Sequence, residues 1–96
     1  MVIGFRTSAS KHGITHERSR YVVEHCVRPL YPGSGGDDLV LFLGPDSNGV
    51  PLEVVAVERI DGGYVVIHAM RLRPRYAAEY KAVSYTHLTL PTKRIV

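Results

Sequence analysis

The chain of 96 residues has a single cysteine, Cys26, and no tryptophan. One cysteine excludes an internal disulfide framework and a cysteine-rich zinc site, so a buried thiol in a reducing cytoplasm is expected. No apolar run approaches the roughly 20 residues that a membrane-spanning helix needs. The first ten residues also lack the long apolar centre of a secretory signal. We therefore expect one cytoplasmic domain that does not engage a membrane.

Charge is distributed unevenly along the chain, whose formal net charge is +3. Residues 1–28 carry five basic and two acidic side chains, and residues 71–82 carry four basic and one acidic. Residues 29–70 between them carry one basic and six acidic side chains. Two basic ends that meet in the fold would form a surface suited to phosphates. The alternative is an ordinary mixed, solvated surface.

The order of patterns predicts an α+β fold. A helical turn is expected at residues 8–12, followed by a helix from His16 to about Val27 with Thr15 as its N-cap. Three strands are expected at residues 39–43, 52–57 and 64–69. Tight turns at residues 45–49 and 61–63 predict that these strands form an antiparallel meander. Residues 1–10 are left open between a short strand and coil. A fourth strand, lost with the natural C-terminus, is also left open.

The junction between the last strand and a closing helix carries the arginines Arg71, Arg73 and Arg75. Pro74 suits the first helical position, which makes Arg73 the N-cap. Serine, threonine, aspartate or asparagine is preferred there, and a cation is unfavourable at the positive end of a helix. Because local propensity does not explain these arginines, we expect them to have a function.

Two separated segments resemble one protein family. Residues 8–17, Ser-Ala-Ser-Lys-His-Gly-Ile-Thr-His-Glu, resemble the "KHGI" helix–turn–helix opening of BrnT-like toxins. Residues 66–80 resemble the closing segment of that family, "IISARRAT…ExxxY". The family's Ser-Ala-Arg is His68-Ala69-Met70 here, so Met70 replaces an arginine. A glutamate of the family's closing helix falls at or near Tyr76.

The resemblance implies a RelE-like fold and a place in a type II toxin–antitoxin module. Such toxins cleave RNA without a metal, so no cofactor is expected. Their partner is a small DNA-binding antitoxin, for which a ribbon-helix-helix protein is one form. The sequence is also compatible with a non-catalytic RelE-like domain that binds RNA or a partner protein through its basic face, or with a purely structural domain.

RNA cleavage of this kind needs a base for the 2′-hydroxyl, an acid for the leaving 5′-oxygen and cations for the phosphate. His68 is the first candidate for proton transfer, because the pKa of histidine lies near neutrality. Strand alternation places His68 on one face with Val66 and Met70. The alternative for His68 is a half-buried, hydrogen-bonded strand histidine.

The other candidates surround this histidine in the predicted site. The candidates for catalysis are Arg71, Arg73, Lys11 and Tyr80, and those for RNA binding are Arg75, His12 and Arg18. Solvated turns and helix ends are the alternative for the cations, and a packing stripe is the alternative for Tyr80. His12 and His16 have the spacing of two metal ligands on one helix, but Gly13 interrupts that helix, so no metal site is expected.

Residues 83–96 do not continue the helical pattern that precedes them. Residues 83–92, Val-Ser-Tyr-Thr-His-Leu-Thr-Leu-Pro-Thr, resemble a translated sequencing adapter of the transposase type. We therefore expect one RelE-like domain over residues 1–82 and a non-native tail over residues 83–96.

Overall fold

A computed structural model describes residues 2–26, 28–32 and 38–82. The elements in chain order are strand β1 (Ile3–Phe5), a 3-10 helix (Thr7–Ser10), helix α1 (His16–His25), strands β2 (Leu39–Pro45), β3 (Pro51–Glu58) and β4 (Tyr64–Arg71), and a second 3-10 helix (Pro74–Tyr76). Residues 77–82 continue the last element as α-helix. The tail predicted over residues 83–96 and the predicted helix end at Val27 lie outside the described residues.

The four strands form one mixed sheet in the order β1-β4-β3-β2. Strands β2, β3 and β4 are the antiparallel meander that the two turn sequences predict, so the α+β class is confirmed. The element order differs at its start from the expected order, which begins with helices, because a strand forms within the segment left open between strand and coil. This strand, β1, pairs in parallel with β4. The parallel direction is possible because the long connection through α1, β2 and β3 allows a crossover.

Local sequence signals explain where the helices and turns form. The hydroxyl of Thr15 accepts a hydrogen bond from the backbone N–H of Arg18 and caps α1 as expected. Gly49 and Gly62 have φ of +84° and +91° in the turns before β3 and β4, a conformation that favours glycine. None of the described helices is long and apolar enough to cross a membrane.

The hydrophobic core lies between one face of the sheet and α1. From the helical side it contains Ala9, Ile14, Val22 and Val23, and from the sheet Ile3, Val40, Phe42, Leu52, Val54, Ala56, Val66 and Ala69. The opposite face of the sheet carries the alternate residues of β2, β3 and β4. This second face holds the candidate site.

A β-bulge in β4 decides which side chains reach each face. Val66 pairs with Ala56 and His68 pairs with Val55, so two consecutive residues of β3 face three residues of β4. The bulge brings both Val66 and Ala69 to the core, although they are three residues apart. His68 therefore lies on the face opposite to Val66. The expectation that His68 shares a face with Val66 is wrong, because simple alternation does not hold across a bulge.

A buried aspartate links the turn between β2 and β3 to α1 through hydrogen bonds. Asp46 is 2% exposed and accepts hydrogen bonds from the backbone N–H groups of Asn48 and Val50, at 2.8 and 2.9 Å. Its other oxygen, Oδ2, accepts a hydrogen bond from Nε of Arg18 at 2.7 Å. The bond from Val50, more than those from Arg18 and Asn48, holds the pKa of Asp46 below its ordinary value.

Asp46→Asn is expected to destabilise the fold at neutral pH. It should also make the free energy of unfolding depend less on pH in the acidic range. A carboxylate with a lowered pKa stabilises the fold above the pKa of the unfolded chain, 3.8, and this stability is lost as the pH falls through the folded pKa. Urea unfolding followed by circular dichroism at neutral and acidic pH measures both effects. Asp38→Asn is the matched control, because the Asp38 side chain is exposed and exposed substitutions usually change stability little. Equal losses in the two variants would contradict the structural importance of Asp46.

Candidate functional site

A buried carboxylate lies at the centre of the second sheet face. Glu53 of β3 is 0% exposed and stands opposite Leu43 of β2 and Met70 of β4. An ionised carboxylate in such a position is costly unless it is paired and hydrogen-bonded. Its partners therefore define the site.

Arg73 satisfies this carboxylate with three hydrogen bonds. Its backbone N–H donates to Oε1 of Glu53 at 3.0 Å, and its Nε and Nη2 donate to Oε2 at 3.0 and 2.6 Å. These contacts raise the pKa of the Arg73 guanidinium above its ordinary value, mainly through the side-chain hydrogen bonds to Glu53. Arg73 is the N-cap before Pro74 as predicted, but its side chain makes no capping bond. It turns back to Glu53, which gives a structural reason for an arginine at this position.

His68 lies beside the same carboxylate. Its Nε2 is 3.6 Å from Oε2 of Glu53, and the side chain is 28% exposed. Nε2 itself is enclosed and has no hydrogen-bond partner among the described residues. Burial lowers the pKa of His68, and the positive charges of His12 and Arg73 act in the same direction against the raising effect of Glu53. The neutral imidazole is therefore the favoured form at neutral pH.

The first 3-10 helix brings a second imidazole to the site. The hydroxyl of Ser8 donates to the carbonyl oxygen of Ile67, the bulge residue, at 2.7 Å. Ala9 is fully buried and anchors the same helix in the core. The exposed ring of His12 then meets the ring of His68 edge to face, with 5.2 Å between the centroids. Two histidines 56 positions apart in the sequence thus form one pair.

An aromatic ring lies beside two of the arginines at the start of the closing segment. The guanidinium carbons of Arg73 and Arg75 lie 5.8 and 5.0 Å from the ring centroid of Tyr76, within cation–π distance. Lys11 is exposed and precedes His12 in the chain. The arrangement offers two imidazoles for proton transfer and several cations for an anionic ligand.

Two of the remaining sequence candidates, Arg71 and Arg18, lie apart from this group. Arg71 is exposed and stands opposite Leu52, so it belongs to the sheet face opposite to that of His68. Arg18 lies on α1, which packs on that opposite face, and its guanidinium is paired with Asp46. Tyr80 is half-buried in the closing helical segment. The structure thus brings together His12, His68 and Arg73 of the predicted residues, with Lys11 and Arg75 near them in the chain.

Glu53 is the member of the site that the sequence analysis missed. The signal was its position inside an otherwise apolar, β-branched strand of residues 52–57, where a buried acid needs a basic partner. The second signal was Arg73, a cation at an N-cap. Neither signal indicates which residue is the partner, because Glu53 and Arg73 are 20 positions apart in the sequence.

No protein-family model matches this chain, and neither a curated protein nor a solved structure matches it. Among the residues that the structure describes, no three histidine, cysteine or acidic side chains are grouped closely enough to hold a metal ion. The site must therefore be interpreted from its own geometry.

Proposed function

We propose that this domain is a metal-independent endoribonuclease of the RelE-like kind, acting in the cytoplasm as the toxin of a type II toxin–antitoxin module. Its substrate is messenger RNA. The observation that carries the proposal is the contact of His12 and His68 beside Arg73. The resemblance of residues 8–17 and 66–80 to BrnT-like toxins supports it independently.

Cleavage through the 2′-hydroxyl needs a neutral base and a protonated acid that both reach one phosphate group. His68 is suited to be the base, because its lowered pKa keeps the imidazole neutral at neutral pH. His12 is exposed and is suited to be the acid that protonates the leaving 5′-oxygen. The 2′-oxygen attacks phosphorus, the bond to the 5′-oxygen breaks, and the products are a 2′,3′-cyclic phosphate and a 5′-hydroxyl.

Arg73 supplies positive charge where negative charge develops on the phosphate oxygens. Its side chain is 39% exposed even while it is bonded to Glu53, so part of the guanidinium faces solvent. Glu53 also fixes the orientation of this guanidinium before any ligand arrives, which lowers the cost of ordering it. Lys11 and Arg75 contribute phosphate contacts at the border of the site.

An antitoxin that neutralises this activity must cover the same basic face. We propose a small DNA-binding protein, for which a ribbon-helix-helix protein is one form, encoded beside this chain. Expression of this chain with and without the neighbouring gene measures its effect on growth and bulk RNA. Growth arrest only in the absence of the neighbour supports the toxin; normal growth in both cases contradicts it.

A second candidate is a non-catalytic domain that binds RNA or a partner protein through the same face. One observation favours it: Nε and Nη2 of Arg73 already donate to Glu53, and Nε2 of His68 is enclosed. These groups are thus unavailable to a phosphate in this conformation, and Lys11 and Arg75 would provide the contacts.

Incubation of the purified chain with end-labelled messenger RNA and a metal chelator tests both candidates. We expect fragments with 2′,3′-cyclic phosphate and 5′-hydroxyl ends, and no cleavage of an all-deoxy copy, which lacks the attacking oxygen. Retention of RNA on a filter without cleavage would favour the binding domain. If RNA is neither cut nor retained, both candidates are wrong.

A further inference from the structure

The proposed ribonuclease leaves open which nitrogen of His68 exchanges protons with the RNA. We propose that Glu53 is a positioning residue that holds the Nε2–H of His68 and leaves Nδ1 as the proton-accepting atom. This inference rests on the proposed function. It gives a positioning role to Glu53, which cannot contact a substrate because it is 0% exposed.

The geometry around Nε2 carries the inference. Nε2 has less than 1 Å² of accessible surface and no hydrogen-bond partner among the described residues, and Oε2 of Glu53 lies 3.6 Å from it. This distance exceeds that of a formed hydrogen bond, but such bonds in enzymes without substrate are commonly long and tighten on binding. A substrate oxygen cannot reach an enclosed atom, whereas the His68 side chain as a whole is 28% exposed.

The chemistry of a neutral imidazole then determines whether Nδ1 carries a hydrogen or a lone pair. One ring nitrogen carries hydrogen and the other carries a lone pair. A carboxylate accepts hydrogen bonds and cannot donate one, so the hydrogen belongs on the nitrogen that faces Glu53. The lone pair is consequently on Nδ1, which takes the 2′-hydroxyl proton as the 2′-oxygen attacks.

Proton uptake at Nδ1 is favourable, because it places a positive charge on His68 beside the Glu53 carboxylate. His68 becomes an imidazolium with Nε2–H still directed at Glu53, which stabilises it. The charged groups that face His68 are Glu53, Arg73 and His12. Arg73 and His68 share Oε2, while Oε1 stays bonded to the backbone N–H of Arg73. Glu53 can therefore strengthen its contact with His68 without losing the bond that anchors the closing segment.

Nitrogen NMR of the full chain labelled at histidine tests this without RNA. The His68 signal is assigned by its loss in His68→Gln. We expect the neutral form of the wild-type chain to carry hydrogen on Nε2. We also expect the His68 titration midpoint to fall in Glu53→Gln, because the amide does not stabilise the imidazolium. Glu58→Gln, an exposed change on the same strand, is the matched control and should leave the midpoint in place.

Arg73→Lys tests the same contact from the other partner of the Glu53 carboxylate. Lysine presents fewer fixed donors to Oε2 than arginine, so more of the carboxylate charge faces His68 and the midpoint should rise. Arg59→Lys, in the exposed pair with Asp61, controls for the change of cation. Hydrogen on Nδ1 of the wild type, or midpoints that do not differ from those of the controls, would overturn the positioning by Glu53.

The activity readout separates the two proposals. If RNA is cut, Glu53→Gln should lower kcat by at least about tenfold and shift the acid limb of the pH profile in the direction of the NMR midpoint, with little change in KM. Cleavage by a chain whose Nδ1 carries the hydrogen contradicts the Glu53 inference alone. A chain with the expected tautomer and midpoints that does not cut RNA contradicts the ribonuclease and supports the pairing of Glu53 with His68.

Discussion

Arg73→Met is expected to lower the free energy of unfolding by about 2–4 kcal/mol, because it leaves the Glu53 carboxylate buried without its charge partner. This expected loss is smaller than the loss for a fully buried pair, because the Arg73 side chain is 39% exposed and solvent screens part of the interaction. The backbone N–H of residue 73 still bonds Oε1, which limits the loss further. Urea unfolding of the wild type and the variant at neutral pH measures the difference.

A double replacement identifies the cause of this loss. Glu53→Leu combined with Arg73→Met removes both charges and leaves apolar groups on a face that already buries Leu41 and Leu43. We expect this chain to regain most of the stability, because replacing a buried pair by apolar residues is often neutral or stabilising. Arg59→Met, which breaks an exposed pair, is the control and should change stability far less than Arg73→Met does. A loss in Arg73→Met no larger than in this control would show that Glu53 does not depend on Arg73.

The parts of the fold that the sequence predicts correctly are those with local causes. The threonine cap at Thr15, the Asn48-Gly49 turn and the glycines at 62 and 63 act within a few residues and set the boundaries of α1 and the meander. The position of Pro74 at the start of the closing helix follows from the same kind of local constraint. Such signals do not depend on which distant element packs against them.

The parts that could not be predicted depend on distant pairing. Strand β1 has three residues, too few to show a periodicity, and it forms because the edge of β4 offers backbone partners. The bulge at Ile67 has no local marker either. The bulge allows both Val66 and Ala69 to face the core, although simple alternation would place residues three positions apart on opposite faces.

The same distinction applies to the candidate site. Arg73 could be singled out because it violates a local preference, and His68 because a histidine sits near that violation. The partner that links them could not be named, because Glu53 reaches them through strand pairing rather than along the chain. Arg18 shows the converse: a cation that looks available in the sequence is paired with Asp46 in the fold.

His68→Asn and His12→Asn are each expected to lower the rate of RNA cleavage by about 10²- to 10⁴-fold, the usual contribution of a positioned acid or base. Asparagine resembles part of the imidazole in size and polarity but does not exchange protons near neutrality. The two losses should not multiply in the double variant, because base and acid act in one step.

The structure also predicts how the two variants differ. In the wild type the base must be neutral, and the lowered pKa of His68 places the acid limb of kcat/KM below the ordinary value for histidine, 6.5. His68→Asn should remove this limb from the residual activity, whereas His12→Asn should retain it at a lower rate. His25→Asn, an exposed change at the end of α1, is the matched control and should preserve both the limb and the rate. Full activity in either site variant would exclude that histidine from proton transfer, and full activity in both would show that cleavage does not use this histidine pair.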